Sequence, residues 1–334
     1  MSALLNKRLA RSLWRSKLRL FAVIFMVSVG VFAGLTFGGY SHNLSGMYDT
    51  MHADDDDGAN LADLWIDNRS TTWSAEQVAT FCQHLTDNWD LSAHDLDSCE
   101  GRNIIPGAMF FDDNGEDRII NSLWHGIAPT ANSDRVWMPD GHSGGRLAVA
   151  DDEIVIDAHV MEPLELNLGD TITIGAGSSS AEFSIVGYGY HPVHIFMAPE
   201  GSVFPPEAGE YVVGYLSESG MARLTGNDLG ASNTILLDVQ GTPSFDLPDT
   251  NEYEGKEIDA IKLQVEDSLT ATQLDARQRD RGQNEQVEIM RQDLEASKRM
   301  ATPFTVMIAA IAAITIILSL QRLVQSQAKE IAVL

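Results

Sequence analysis

Residues 164–187 read LELNLGDTITIGAGSSSAEFSIVG, and the spacing of their apolar residues decides the fold class. Leu164, Leu166 and Leu168 alternate with polar neighbours, Gly169-Asp170 marks a turn, and Ile172 and Ile174 alternate again. A Gly/Ser-rich turn then leads into FSIVG at 183–187. Successive side chains of a strand leave opposite faces, so this period of two predicts short, half-buried strands joined by tight turns in an antiparallel arrangement.

Outward from that stretch the same signal recurs. Runs at 60–67 (NLADLWID), 104–107, 118–120, 154–156, 211–216 and 234–239 are short and β-prone. Two segments carry the other period. Ser74 followed by Gln77 forms a capping-box pattern, after which Val78, Phe81, Cys82 and Leu85 share one helical face, predicting a helix over 74–87. Ile258, Ile261, Val265 and Leu269 repeat at helical spacing and predict a second over 256–270. Strands and helices together give an α+β body, with mixed antiparallel strands and flanking helices.

Two apolar runs frame this body. Residues 20–40 (LFAVIFMVSVGVFAGLTFGGY) and 301–320 (ATPFTVMIAAIAAITIILSL) contain no charged side chain. Each matches the roughly 20 residues that a helix needs to cross a bilayer. The first is too long for the apolar core of a signal peptide, about 7–15 residues. Pro303 sits in the opening turn of the second, where a missing N–H costs least. Six basic residues and no acids precede the first run, which places residues 1–19 in the cytoplasm by the positive-inside rule. The expected organisation is therefore a basic N-terminus (1–19), a first span (20–40), an extracytoplasmic domain (41–283), a helical stalk (284–300), a second span (301–320) and a cytoplasmic tail (321–334). The stalk carries Val287, Met290, Leu294 and Met300 on one stripe, with no Gly or Pro before Pro303, so helix and second span are expected to be continuous.

Charge narrows the partners. The 334 residues hold 22 Lys+Arg against 48 Asp+Glu, and residues 41–299 hold 14 of those bases and 47 of those acids. Duplex binding needs clustered positive charge, so nucleic acid is excluded as a partner. Such acidity suits a salty medium that screens like charges. Cys82 and Cys99 are the only cysteines, and outside the cytoplasm they form either a disulfide or two buried thiols.

The P-loop and zinc-protease signatures are missing: GxxxxGK[ST] and HExxH do not occur, and the Gly-rich stretch 175–180 has no following Lys. His191-Pro192-Val193-His194, with Glu200 nearby, is the densest imidazole cluster, but it lacks a third ligand at a recognised spacing, so a pair of loop histidines is expected there in place of a zinc site. The acidic runs 54–57 and 151–153 read as solvated loops. No catalytic residue, cofactor or metal is expected, and the chain is not expected to be an enzyme.

The basic N-terminus, the α+β insert between two spans and three local patterns resemble the FtsX/MacB-like permeases of ABC transporters, the lipoprotein-exporter and macrolide-exporter type. Residues 164–187 resemble that family's periplasmic core, in which strand, Gly-Asp turn and strand precede a Phe-x-Val-Val-Gly strand, and 188–206 resemble its continuation. The tail RLVQSQAKEIAVL resembles the Arg/Lys-Glu-Ile-x-x-Leu motif that leads into the cytoplasmic coupling helix, with Lys329, Glu330, Ile331 and Leu334 in its places after Arg322. Such permeases have at least four spans, and the sequence stops inside the motif after two, so the resemblance implies either that the sequence is a fragment or that the remaining spans come from elsewhere. It further implies a plasma-membrane, multi-pass protein that pairs with a second permease subunit in a homo- or heterodimer. A separate cytoplasmic ABC ATPase would contact Arg322, Lys329, Glu330, Ile331 and Leu334, and closure of that ATPase would move the ectodomain. The alternative is a two-span sensor with a ligand-binding ectodomain; its output module would have to lie beyond residues 322–334, 13 residues that are too few to fold.

Overall fold

The structure, a computed structural model, describes residues 17–52, 58–92, 94–113, 116–138, 144–195, 197–199, 201–202, 204–241 and 256–331. The chain divides into two compact units, one of residues 48–291 and one of residues 1–47 with 292–334.

The larger unit is built on nine strands. β1 (Leu64–Asn68), α2 (Ala75–Asp87) and the first half of β2 (Leu96–Asp113) form one βαβ unit; β8 (Thr234–Val239), α5 (Lys256–Thr272) and β9 (Ala276–Asp280) form another. They interleave as a four-stranded antiparallel sheet in the order β2-β8-β1-β9, the split βαβ arrangement. The capping box at Ser74 and Gln77 starts α2 as the sequence predicts. Phe81 and Leu85 of α2 and Ile261 and Val265 of α5 are buried with Leu64, Ile66, Ile235 and Leu237 of the sheet. Cys82 and Cys99 are joined in a disulfide with Cα atoms 5.7 Å apart, tying α2 to β2.

Between β2 and β8 the chain makes a second lobe. The second half of β2 pairs with β3 (Glu116–Gly126), and β4 (Glu153–Asp157), β5 (Thr171–Ala176), β6 (Ser179–Gly189) and β7 (Tyr211–Leu216) complete the order β3-β7-β4-β6-β5-β2. Because β2 bonds β5 along one edge and β3 along the other, these six strands close into a ring, which removes free edges. Trp124 fills its interior and donates from Nε1 to the Gly175 carbonyl at 2.9 Å. A Cβ at Gly107 would lie 2.1 Å from that Nε1, so the tryptophan fits only because position 107 has no side chain. Two short helices, α3 (Ala158–Met161) and α4 (Glu218–Thr225), lie in this lobe.

Three expectations are corrected. The sheet is not wholly antiparallel, because β3–β7 and β4–β6 are parallel pairs. Residues 164–168 form no strand: Leu164 N–H donates to the Val160 carbonyl at 3.1 Å and Leu166 N–H to that of Met161 at 2.9 Å, continuing the turn after α3. Residues 60–63 also lie outside β1, buried as irregular chain.

The smaller unit contains most of α1 (Lys17–His52) and of α6 (Glu285–Ile331). The rings of Phe37 and Phe304 stack 5.2 Å apart, Tyr40 donates to Asp293 at 2.9 Å, and a Cβ at Gly30 would meet Ile308 at 2.5 Å, so α1 and α6 run antiparallel in close contact. Phe32 and Leu35 are each 72% exposed and Val306 62%, so large apolar side chains remain outward on both helices. Among the described residues no helix is long and apolar enough to cross a membrane. The two uncharged runs lie within α1 and α6. The N-terminal residues 1–16, the acidic run 54–57, Glu200 and Leu334 lie outside the described residues. Arg322, Lys329, Glu330 and Ile331 are positions on α6.

Candidate functional site

Alternation along β3 sends Trp124 into the ring and His125 out of it, and on β7 Tyr215 points to that same outer side. A short 3-10 turn (Pro192–His194) covers this face and delivers His191 and His194. The result is a buried cluster of three imidazoles: ring centroids lie 4.9 Å apart for His125 and His191, 4.8 Å for His125 and His194, and 5.2 Å for His191 and His194. Tyr215 stacks on His191 at 5.4 Å and donates its hydroxyl to Asp157 at 2.9 Å. Asp157 also meets His159 at 2.7 Å, bringing β4 and α3 into the network.

Desolvation governs the electrostatics. Burial holds His125 and His191 well below the ordinary histidine range, helped by the neighbouring imidazoles and by Arg102, and brings His194 down to about 4. All three are therefore neutral at pH 7. Burial raises Tyr215 well above the ordinary phenol, and Asp157 adds to the shift. His125 Nε2 and His194 Nε2 are 2.8 Å apart, so one donates and the other accepts a single proton. Two nitrogens bound to one tetrahedral zinc would stand about 3.3 Å apart, given Zn–N distances near 2.05 Å. The pair is thus a hydrogen bond, and among the described residues no group of three or more His, Cys, Asp or Glu is placed to hold a metal ion. The sequence finds His191 and His194 but not His125, which lies 66 positions earlier on another strand.

A second buried network adjoins the first. Arg102 of β2 donates to the Ser133 carbonyl at 2.7 Å, and Asp134 accepts from Ala62 N–H and Trp65 Nε1, both at 2.9 Å. Arg281 donates from Nε to the Ala62 carbonyl at 2.9 Å and approaches Asp63 at 3.1 Å. Asn60 donates to Asp238 at 2.9 Å and to the Asn132 carbonyl at 3.1 Å. Asn60 and Asp134 both adopt left-handed backbone, a conformation Asn and Asp tolerate better than most residues. These bonds fasten residues 59–65 and β8 of the split βαβ lobe to loop 131–135 of the ring lobe. The arrangement positions two lobes and supplies no nucleophile or paired acid and base facing a cleft. In the acidic run 151–153, Asp151 and Asp152 are exposed, as a solvated loop requires, and Glu153 is held down to about 2 by its bond with Arg146, and by the Val149 and Ala150 N–H groups.

No protein-family model matches the chain, and no curated protein matches it. Among solved structures it is similar to the periplasmic region of MacB from Actinobacillus actinomycetemcomitans, at 12% identity and a TM-score of 0.39, over 70% of this chain and 92% of that one. It is also similar to the extracellular domain of the ABC-type transporter YknZ from Gram-positive bacteria, at 11% identity and a TM-score of 0.35, over 66% and 98% of the two chains.

Proposed function

We propose that the chain is a permease subunit of an ABC transporter of the FtsX/MacB-like, lipoprotein-exporter type. One sequence observation carries the reading: two uncharged runs of about 20 residues, 20–40 and 301–320, flank the α+β unit along the chain, each the length that a bilayer-spanning helix needs. The outward-facing Phe32, Leu35 and Val306 suit an apolar medium, since exposed side chains of that size in a contiguous patch need lipid or a partner. The Lys329-Glu330-Ile331 sequence at the end of α6 supports a cytoplasmic coupling role.

In this reading α1 and α6 cross the plasma membrane, residues 41–299 face outward, and both termini are cytoplasmic. A separate ABC ATPase binds the segment from Arg322 to Leu334, and ATP-driven closure is transmitted through α6 to an ectodomain that handles cargo or a partner protein. Such coupling requires a two-state equilibrium that nucleotide biases. ATP hydrolysis belongs to the partner subunit, and a second permease subunit completes the pair. Affinity purification of the membrane-embedded chain from its native host tests this: a cytoplasmic ATPase should co-purify, and Glu330→Ala should weaken that association while the Cys82–Cys99 disulfide and the circular dichroism of the ectodomain are unchanged. Unchanged association in the variant would refute the coupling assignment.

A further inference from the structure

The buried network at the junction of the two lobes does not balance its charges. Arg102 and Arg281, each 2% exposed, bring two positive charges. Asp63, Asp134 and Asp238, exposed by 1%, 2% and 4%, bring three negative ones if all are ionised. An unpaired buried charge is expensive, and proteins relieve it by moving a proton.

The geometry says which carboxyls take that proton. Burial raises Asp134 too, but it is the better satisfied as an anion, accepting from the Ala62 N–H and Trp65 Nε1 beside Arg102, whereas one oxygen of Asp63 is left without a hydrogen bond. The β1–β8 register ends at the pair Leu64–Leu237; beyond it the Asp63 N–H bonds the Leu237 carbonyl at 2.9 Å and the Val239 N–H bonds Asp63 Oδ2 at 3.0 Å, so the Asp63 carboxyl lies against the segment of β8 that carries Asp238. Two like charges brought together in a buried site repel, and one of them is driven to take a proton. Asp63 Oδ2 accepts from Val239 N–H at 3.0 Å, whereas its buried Oδ1 has only the off-angle approach of Arg281 Nη2 at 3.1 Å and receives no hydrogen bond. Asp238 Oδ2 accepts from Asn60. The other charged groups facing the pair are His94 beside Asp63 and Asp97 beside Asp238.

We propose that Asp63 and Asp238 share one proton at neutral pH, as a carboxylic acid and carboxylate pair that neutralises the junction and fastens the two lobes while the proton is present. Burial, followed by the facing carboxylate, pushes Asp238 up to about 7, and burial raises Asp63 as well. The inference does not depend on the permease reading.

The sign follows by linkage. The unfolded Asp238 releases its proton near pH 4 and the folded one near 7, so the folded state binds more protons in between and its stability falls as pH rises through that window. Asp238→Asn supplies a permanently neutral, hydrogen-bonding substitute. In the full chain in lipid nanodiscs, chemical unfolding should show the folding equilibrium constant of the wild type, relative to Asp238→Asn, falling about tenfold per pH unit from about pH 5 to neutrality and levelling off above. Infrared titration should show a protonated-carboxyl C=O band at about pH 6 that is lost by about pH 8 and absent from Asp238→Asn. Should that variant fail to fold, Asp63→Asn is measured in its place, with the same expected slope and loss of band. A wild-type band missing at about pH 6, or parallel curves for wild type and variant, overturns the proposal. So does stability that follows sodium against choline at fixed ionic strength and ignores pH, which would put a metal cation in the proton's place.

Discussion

Lowering the pH across the range in which a free histidine titrates should unfasten the imidazole cluster, and His194 shows by how much. Its unfolded value lies near 6.5 and burial brings it down to about 4 in the fold. Between these values the unfolded chain binds the proton and the folded chain does not, so stability rises with pH there. The contribution is fully present above about pH 6.5 and is lost as pH falls towards 4. A gap of about 2.5 units at 1.36 kcal/mol each makes it about 3 kcal/mol from this one ring, a large share of the stability of an ordinary domain. The assay is urea unfolding of the full chain in nanodiscs, followed by tryptophan fluorescence, for the wild type and His194→Gln. Glutamine does not titrate and keeps a group able to bond His125. Groups away from the cluster contribute equally to both proteins, the Asp238 carboxyl with opposite sign among them, while His125 and His191, which His194 helps to depress, shift with it, so the difference between the curves reads the imidazole cluster around position 194. It should change by about 3 kcal/mol between pH 6.5 and 4. Parallel curves would refute the assignment of a neutral, buried imidazole at 194.

Replacing Cys82 and Cys99 together by Ser should cost about 3 kcal/mol, the loop-closure value for a bridge with a sequence separation of 17, read as a lower denaturant midpoint with a somewhat steeper slope because the unfolded chain is no longer cross-linked. Gly107→Ala should cost about 3 kcal/mol, the upper end of overpacking penalties, because its Cβ would lie 2.1 Å from Trp124 Nε1 and 2.2 Å from the Gly175 carbonyl. Thermal unfolding checks it.

Local periodicity made most elements legible. Residues 211–216 and 234–239 are strands as read, and Ser74 with Gln77 starts α2. Failures occur where tertiary structure supplies what the local pattern lacks. Leu164, Leu166 and Leu168 match a strand only by chance of spacing: Leu164 is buried, Leu168 is 44% exposed, and the preceding α3 draws the segment into its own hydrogen bonds. β9 reads Ala-Arg-Gln-Arg-Asp and has no apolar alternation; an ion pair of Arg279 with Asp67 holds it to β1 and one of Asp280 with Lys262 holds it to α5. The parallel pairs β3–β7 and β4–β6 join distant segments, and no short-range signal encodes them. The site suffers the same way. His191 and His194 are conspicuous, whereas His125, Arg102 and Asp63 are isolated residues whose meeting is a product of topology.

That polar interior also predicts how the protein responds to salt. Residues 41–299 own 14 basic side chains against 47 acidic ones, and Arg102 and Arg281 are wholly buried, which leaves the surface shorter still of positive charge. Repulsion among the exposed carboxylates acts over the Debye length, about 8 Å at 0.15 M and about 3 Å at 1 M. The buried bonds of Arg102 and Arg281 are screened far less. Exposed pairs such as Arg69 with Asp275 contribute at most about 1 kcal/mol each and are too few to offset the imbalance. Raising the salt should therefore raise the melting temperature, and sodium and choline chlorides should act alike because the effect is screening and not binding. A melting temperature that falls steadily with salt would mean that surface ion pairs outweigh the repulsion, and the scarce arginines would then have been better placed outside than in.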